Sequence, residues 1–276
     1  MRIDEIVALQ HRNGGWGHFH TLFGSQKCQL DHITTEQALW RLFILGATAE
    51  DKPIQQAIKY MEAALALPVS PVFFEKTHDP KIFSDRMLAT WLRLFVPEHP
   101  SALRVGRQWA GIIEEAFADG TYDHMRYTHS YEEQFGKQLN PKAGALVDFV
   151  HFYPAVLLQG LLLRETENAY LDYALTSPKG MFYIYKYPLN VLPEEFATRR
   201  ASQYVAALEV LAGFALAPEK LAFAVQWLRE NQDENRQWDF GSRAKDGVYF
   251  PLTDSWSIDR KQDCTMRVER LLTRLQ

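Results

Sequence analysis

Apolar residues recur along the chain with the spacing of α-helices, and the alternation typical of strands is scarce. In 53–65, Ala57, Met61 and Leu65 recur at helical spacing, while polar residues fill the other face. Other segments, such as 84–95, are apolar nearly all round and must be covered on more than one side. The pattern predicts an all-α protein in which amphipathic outer helices alternate with buried inner helices.

Taken in chain order, these segments pair into outer and inner helices. We predict outer helices at 4–10, 53–65, 101–117, 167–175 and 218–231. We predict inner helices at 35–45, 84–95, 154–163 (with 144 as an alternative start), 198–214 and 259–275. Links from outer to inner helices are long and aromatic, whereas links from inner to outer helices are short. Because long structured loops commonly carry function, we expect the functional site where the inner helices begin.

Two stretches near opposite ends of the sequence share one motif. In Q-H-R-N-G-G-W, Gln10 precedes Trp16 by six positions, and in Q-D-E-N-R-Q-W, Gln232 precedes Trp238 by the same step. An apolar residue stands four positions before each glutamine. We expect both stretches to hold helical hairpins together through a buried indole and amide-to-backbone hydrogen bonds, and to take no part in chemistry.

These stretches resemble the QW repeat of the terpene cyclase and protein prenyltransferase superfamily, in which an outer helix ends in glutamine and a tryptophan follows a glycine-containing turn. The segments T-T-E-Q-A-L-W from Thr34 and C-T-M-R-V from Cys264 resemble inner-helix starts of that superfamily. Arg236 stands where the second copy would have glycine, and the middle of the chain has no copy. The resemblance implies a single-domain α/α toroid over 1–276, with about five helical hairpins, or six, around a central cavity.

The catalytic signatures of that superfamily are absent from the sequence. Neither the D-x-D-D acid of cyclases that protonate an alkene nor the D-D-x-x-D magnesium site occurs. Protein prenyltransferases hold zinc through D-x-C and a later histidine, whereas Asp263 and Cys264 are adjacent and no histidine follows them. The resemblance therefore implies a cavity for an apolar or isoprenoid-like small molecule and leaves open whether the chain is an enzyme.

Composition indicates how many domains to expect, which partners are unfavourable and where in the cell the protein is expected. The chain has 276 residues, of which 47% are hydrophobic and 23% are charged, so it can bury a large core in one domain. A net charge of −4 without any basic run argues against nucleic acid as a partner. The N-terminus lacks an apolar signal region, and no apolar run is long enough for a transmembrane segment. With two cysteines, we expect a cytoplasmic protein, and its oligomeric state stays open.

Polar residues cluster near the predicted starts of the inner helices. The candidates for general acid/base catalysis are Asp85, Asp148, His151 and Tyr153. The candidates for ligand binding are Arg86, Phe74, Tyr127, His129, Tyr185, Arg200, Tyr249 and Trp256. Arginines can bind a carboxylate or phosphate, and aromatic rings can surround an apolar ligand. The polar residues of this set would equally serve as ion pairs between helices of a large core.

Three alternatives remain at this point. Aromatic residues with His, Asp and Arg also suit a sugar, and some α/α toroids are glycosidases or polysaccharide lyases; such an enzyme requires a groove with two facing carboxylates. A non-catalytic scaffold would show a filled ring with a flat apolar rim that binds a protein. Zinc is the one metal suggested, since Cys28 and His32 would join Asp263 and Cys264 if the ring closes.

Overall fold

A computed structural model describes residues 3–20, 33–68, 79–140, 149–182, 184–242, 244 and 260–276. These residues contain twelve α-helices packed together and no β-strand, which confirms the predicted all-α class. The helices are α1 (Ile3–Ala8), α2 (Thr35–Ile44), α3 (Lys52–Leu65), α4 (Pro80–Phe95), α5 (Pro100–Ala116), α6 (His124–Phe135), α7 (Phe152–Leu157), α8 (Arg164–Thr176), α9 (Arg199–Leu211), α10 (Ala217–Lys220), α11 (Ala222–Glu230) and α12 (Arg260–Arg274). No helix in this part of the chain has both the length and the apolar character needed to cross a bilayer.

The outer helices follow the predicted amphipathic pattern. In α3, Ile54, Ala57 and Met61 are fully buried, whereas the opposite face is exposed. A proline stands in the first turn of α3, α4 and α5, where its missing N–H would have no intrahelical partner. The bounds of α3 and α5 differ from the predicted 53–65 and 101–117 by one residue.

The C-terminal ends of the helices predicted as inner, α2, α4, α7, α9 and α12, lie together, and we keep the name inner helices for these five. Gln159 after α7 donates to the Val210 carbonyl of α9, and α12 donates to α9 through Arg274 and to α2 through Arg270. At their N-terminal end, the Tyr153 hydroxyl of α7 donates to Glu36 of α2. At their C-terminal end, Arg93 of α4 donates to the backbone carbonyl of Leu157 in α7. Between the two ends the core is aromatic; the Trp91 and Phe152 rings, for example, lie 4.9 Å apart. The first turns of α2 and α7 therefore lie at the end opposite to these C-terminal contacts.

Several elements differ from the sequence predictions. The third long link contains helix α6, which packs Tyr131 and Phe135 against Trp109 of α5 at ring-centroid distances of 5.9 and 5.4 Å. α7 begins two residues before the predicted 154–163 and ends at Leu157; Gly160, in the turn that follows, has φ 69°. The predicted outer helix 218–231 is divided into α10 and α11 at Leu221.

The first Gln–Trp stretch joins α1 to α2 and α3. The Trp16 indole donates to the Ile6 carbonyl at 2.8 Å, and its backbone N–H donates to the Thr35 hydroxyl at 2.8 Å. The Gln10 amide donates to the Gly14 carbonyl at 2.8 Å. Gly14 has φ 93°, and a Cβ there would lie 2.3 Å from a carbonyl oxygen of α3. Glycine is therefore required at this turn.

The second Gln–Trp stretch repeats these contacts at the other end of the sequence. The Trp238 indole donates to the Leu228 carbonyl at 2.7 Å, and its backbone N–H donates to the Thr265 hydroxyl at 3.1 Å. The Gln232 amide donates to the Arg236 carbonyl at 3.0 Å. Arg236 has φ 60°, so it adopts the left-handed conformation found at Gly14. The two stretches thus have the same local structure.

Candidate functional site

A buried hydrogen-bonded group lies at the N-terminal end of the inner helices. Glu36, in the first turn of α2, is 1% exposed. Its Oε1 accepts hydrogen bonds from the Tyr153 hydroxyl at 2.6 Å and from the Trp91 indole at 2.8 Å. Its Oε2 lies 2.6 Å from Nδ1 of His20. We call Glu36, His20, Tyr153 and Trp91 the Glu36 network.

The charge of Glu36 is determined by two opposing effects. Burial disfavours the carboxylate, but the adjacent His20 ring and the hydrogen bonds from His20, Tyr153 and Trp91 favour it. Together they hold the pKa of Glu36 below its usual value. Glu36 is therefore an ionised hydrogen-bond acceptor at neutral pH, and it can orient the imidazole of His20.

Aromatic rings surround the Glu36 network. The Phe83 ring lies 5.7 Å from both the His20 ring and the Tyr153 ring. His151, which directly precedes α7, is fully buried with its ring 5.7 Å from that of Tyr153. The network is thus a polar group enclosed by apolar rings, a setting in which electrostatic interactions are strong.

A cavity of about 800 Å³ opens beside the first turn of α9. Its described lining residues are Lys179, Met181, Phe182, Ile184, Tyr185, Lys186, Tyr187, Arg199, Arg200 and Gln203. Arg200 Nε donates to the Tyr185 hydroxyl at 3.2 Å, and its guanidinium lies 4.2 Å from the Tyr187 ring centroid. The bond to Tyr185 raises the pKa of Arg200 above its ordinary value. We call this space the α9 cavity.

The α9 cavity and the Glu36 network lie at the same end of the inner helices. The backbone N–H of Phe182, a residue of the cavity wall, donates to the Val150 carbonyl at 3.0 Å. The Phe182 ring lies 6.5 Å from the ring of His151, which in turn contacts Tyr153. Two aromatic contacts therefore connect the cavity wall to the network.

The predicted catalytic residues that the structure describes lie at two separate places. Tyr153 belongs to the Glu36 network, and His151 contacts it. Asp85 lies 2.5 Å from the Lys81 ammonium on the same helix, although burial outweighs this contact and raises the pKa of Asp85. Asp148 lies outside the described residues. The structure therefore brings together two of the three candidates that it describes.

Tyr185, Arg200 and Arg86 are three of the predicted ligand-binding residues, and they lie at two different places. Tyr185 and Arg200 are hydrogen-bonded neighbours in the wall of the α9 cavity. Arg86 is 3% exposed, and its guanidinium lies 4.5 Å from the Trp109 ring centroid and 5.5 Å from that of Phe83. Only the first two thus share a cavity.

The remaining predicted ligand-binding residues do not meet at this cavity. Tyr127 is buried, with its ring 5.4 Å from that of Phe149. His129 is exposed on α6, with Nε2 3.3 Å from the Glu133 carboxylate. Phe74, Tyr249 and Trp256 lie outside the described residues.

The proposed zinc ligands are only partly described. Asp263 forms an ion pair with Arg41 at 2.6 Å, and Cys264 beside it is buried. Cys28 and His32 lie outside the described residues. Among the residues with described positions, no group of three or more His, Cys, Asp or Glu side chains could hold a metal ion.

The C-terminal end of the inner helices also contains concave surfaces, but its arginines bind protein groups. Cavities of about 490 and 370 Å³ meet there at Phe43 and Arg274. Arg267, which is 3% exposed, binds Glu209 through Nε at 2.6 Å and through Nη2 at 2.9 Å. Arg274 donates to the backbone carbonyl of Glu209 at 3.0 Å, and Arg270 donates to the backbone carbonyl of Ile44.

The sequence predictions missed Glu36 and His20, the two charged or titratable partners of Tyr153. Glu36 stands in T-T-E-Q and has the features of an ordinary acidic residue in a helix first turn. A signal was nevertheless present, because Glu36 is flanked by residues of an inner helix that is apolar on most sides. A carboxylate in such a helix requires buried hydrogen-bond donors.

Comparisons of the chain with protein-family models, with curated proteins and with solved structures found no match. Support for a function therefore comes from the two features at the N-terminal end of the inner helices. These features are a cavity with an aromatic and cationic wall, and a buried network of an acid, a histidine and a tyrosine.

Proposed function

We propose that the chain is an α/α toroid that binds an apolar, isoprenoid-like small molecule at the N-terminal end of its inner helices. The observation that carries the proposal is the α9 cavity of about 800 Å³, whose wall includes Met181, Ile184 and Tyr185. Small-molecule sites are typically concave, mostly apolar and about 300–1,000 Å³ in volume. The α9 cavity has this size, and its wall combines apolar and aromatic side chains with polar and charged ones.

Contacts between the inner helices support the ring. α4 packs on α2 and α7, and α9 packs on α7 and α12. The Arg41–Asp263 ion pair and the bond from Arg270 to the Ile44 carbonyl connect α12 back to α2. This series of contacts returns to its first helix, as a toroid requires.

The Glu36 network supports proton transfer as the chemistry of this end. Because the pKa of Glu36 is lowered, the group is ionised at neutral pH and has no proton to donate. It acts instead by orienting His20. His20 and Tyr153, whose Nδ1 and hydroxyl oxygen lie 3.0 Å apart, are the groups that we propose to exchange protons.

The alternatives gain less support from the described residues. A glycosidase requires two carboxylates on a common groove. Glu36 accepts hydrogen bonds from three side chains, Asp85 binds Lys81, and neither carboxylate lines the α9 cavity. A protein-binding scaffold would present a flat surface at this end, whereas the surface beside α9 is concave.

The proposal is tested by the compounds that the purified protein retains. Gln203 lines the α9 cavity and is only partly buried, so Gln203→Trp fills the cavity without removing a core contact. We expect mass spectrometry of extracts to find an apolar small molecule, and the variant to retain roughly tenfold less of it because of steric exclusion.

Gln226→Trp is the matched control, because Gln226 is exposed on α11 and does not line the cavity. The control should retain as much compound as the unmodified protein. Equal retention by Gln203→Trp, or the absence of any retained apolar compound, would count against the proposal.

A further inference from the structure

We infer that the ligand of the α9 cavity carries an oxyanion, a phosphate or a carboxylate, which Arg200 and the neighbouring cations bind. The inference rests on the proposed ligand-binding function and adds the chemical class of the ligand. That class is an acidic amphiphile, a molecule with one anionic head group and an apolar body.

The charge of the cavity wall is one-sided. Lys179, Lys186, Arg199 and Arg200 line the α9 cavity, and its described lining residues include no Asp or Glu. Among the described residues, no carboxylate forms a close ion pair with any of these four cations. Glu194 interacts electrostatically with Arg200 but stands outside the lining. Four positive charges around one cavity attract an anion from solution.

The side chain of Arg200 is already held in place for such a ligand. Its guanidinium lies on the Tyr187 ring at 4.2 Å, and its Nε donates to the Tyr185 hydroxyl at 3.2 Å. Among the described residues, its two amino groups have no hydrogen-bond acceptor. Lys186 Nζ lies 5.7 Å from the same Tyr187 ring. A guanidinium fixed at one edge can offer its amino groups to two oxygens of a phosphate or carboxylate.

The position of the arginines also indicates an anion. Arg199 and Arg200 are the first two residues of α9, and the first turn contains no acidic residue. Positive side chains are unfavourable at a helix N-terminus, where the helix dipole is positive. An oxyanion in the α9 cavity would offset this repulsion. Two cations at this position therefore cost stability in the free protein and gain interactions in the complex.

The apolar residues of the cavity wall indicate the chemistry of the ligand body. Met181 and Ile184 are buried apolar residues of the lining, and Phe182 connects the cavity to His151. These residues provide contacts for a hydrocarbon body but none for a second charge. The head group would thus lie at Arg200, and the body would extend towards Phe182.

Calorimetric titration with octyl phosphate, octanoate and octanol tests the inference, because the three probes share an apolar body. We expect both anions to bind at least about tenfold more tightly than octanol. Arg200→Gln should weaken binding of the anions by about tenfold and leave octanol binding unchanged. Arg126→Gln is the matched control: Arg126 lies on α6 and pairs with Asp119, so its loss should leave all three affinities unchanged.

The outcomes separate this inference from the proposed function. Octanol binding as tight as that of both anions, with no effect of Arg200→Gln, would overturn the oxyanion and leave the apolar ligand in place. Failure of all three probes to bind would overturn both. If the anions bind more tightly than octanol, the ratio of octyl phosphate to octanoate affinity identifies the head group.

Discussion

Arginines lie at both ends of the inner helices, but their hydrogen bonds have different partners. At the C-terminal end, Arg93 and Arg274 donate to backbone carbonyls of α7 and α9, which a helix end leaves without intrahelical partners. At the N-terminal end, Arg200 contacts two tyrosines and turns the rest of its guanidinium to a cavity. The first arrangement completes the fold, and the second leaves donors beside the cavity for the ligand that we propose.

Cavity volume alone does not separate the two ends. The C-terminal end has concave surfaces of about 490 and 370 Å³, against about 800 Å³ for the α9 cavity. What differs is whether the arginines of the wall already donate to protein acceptors. Donors that the fold leaves available are thus a better indicator of a binding site than space is.

The largest effect on stability is expected at the C-terminal end, from Arg267→Ala. Arg267 and Glu209 are both buried, so the variant would leave Glu209 as a buried charge without its partner. We expect the free energy of unfolding to fall by about 3–5 kcal/mol in urea denaturation at pH 7. The double variant Arg267→Met with Glu209→Leu should recover most of this loss. A single-variant loss below about 1 kcal/mol would contradict the structural role.

An intermediate effect is expected for Glu36→Gln at the N-terminal end. The variant removes the charged acceptor of three hydrogen bonds, and we expect a loss of about 1–3 kcal/mol at pH 7. Because the pKa of Glu36 is lowered on folding, its ionised form stabilises the protein fully above the ordinary value of 4.5. This contribution is lost as the pH falls through the folded-state pKa.

The difference between Glu36→Gln and the unmodified protein should therefore shrink below pH 4.5. Urea denaturation over a series of pH values from neutral to acidic measures it. A difference that stays constant with pH would mean that Glu36 is not ionised in the folded protein.

The smallest effect on stability is expected for Arg200→Gln. The variant loses the bond to Tyr185 and the contact with Tyr187, but it also removes a cation from the N-terminus of α9, so the free energy of unfolding should change by less than about 0.5 kcal/mol. Arg270→Gln is the matched change at the C-terminal end, where the lost bond to the Ile44 carbonyl should cost about 1 kcal/mol. Thermal unfolding of both variants, side by side, measures the difference. A larger loss for Arg200→Gln than for Arg270→Gln would reverse the comparison between the two ends.

The helices were largely predictable because their signals are local. The bounds of α3 and α5 follow from apolar spacing and from the proline that opens each helix. α6 was missed because its buried stripe is narrow: only Tyr127 and Tyr131 are fully covered, whereas Met125 is 74% exposed. A stripe of this width gives a weak periodic signal.

The site was less predictable because its parts are distant in sequence. Tyr185 and Arg200 were predicted as ligand-binding residues, and they share a cavity wall. Glu36 lies 16 positions from His20 and 117 from Tyr153, and no spacing rule connects positions so far apart. Their association depends on how α2, α4 and α7 pack, which is a property of the whole core.

The ion pair between Arg41 and Asp263 has a consequence for how the chain folds. Contacts such as those of α4 with α5 form across a short connection, whereas Arg41 and Asp263 are 222 positions apart. Non-local contacts form slowly, because chain entropy is lost before the contact contributes any stability. We expect neighbouring helices to assemble first and the contact between α2 and α12 to form last. The N-terminal end of the inner helices would then acquire its complete set of neighbours only in the final step of folding.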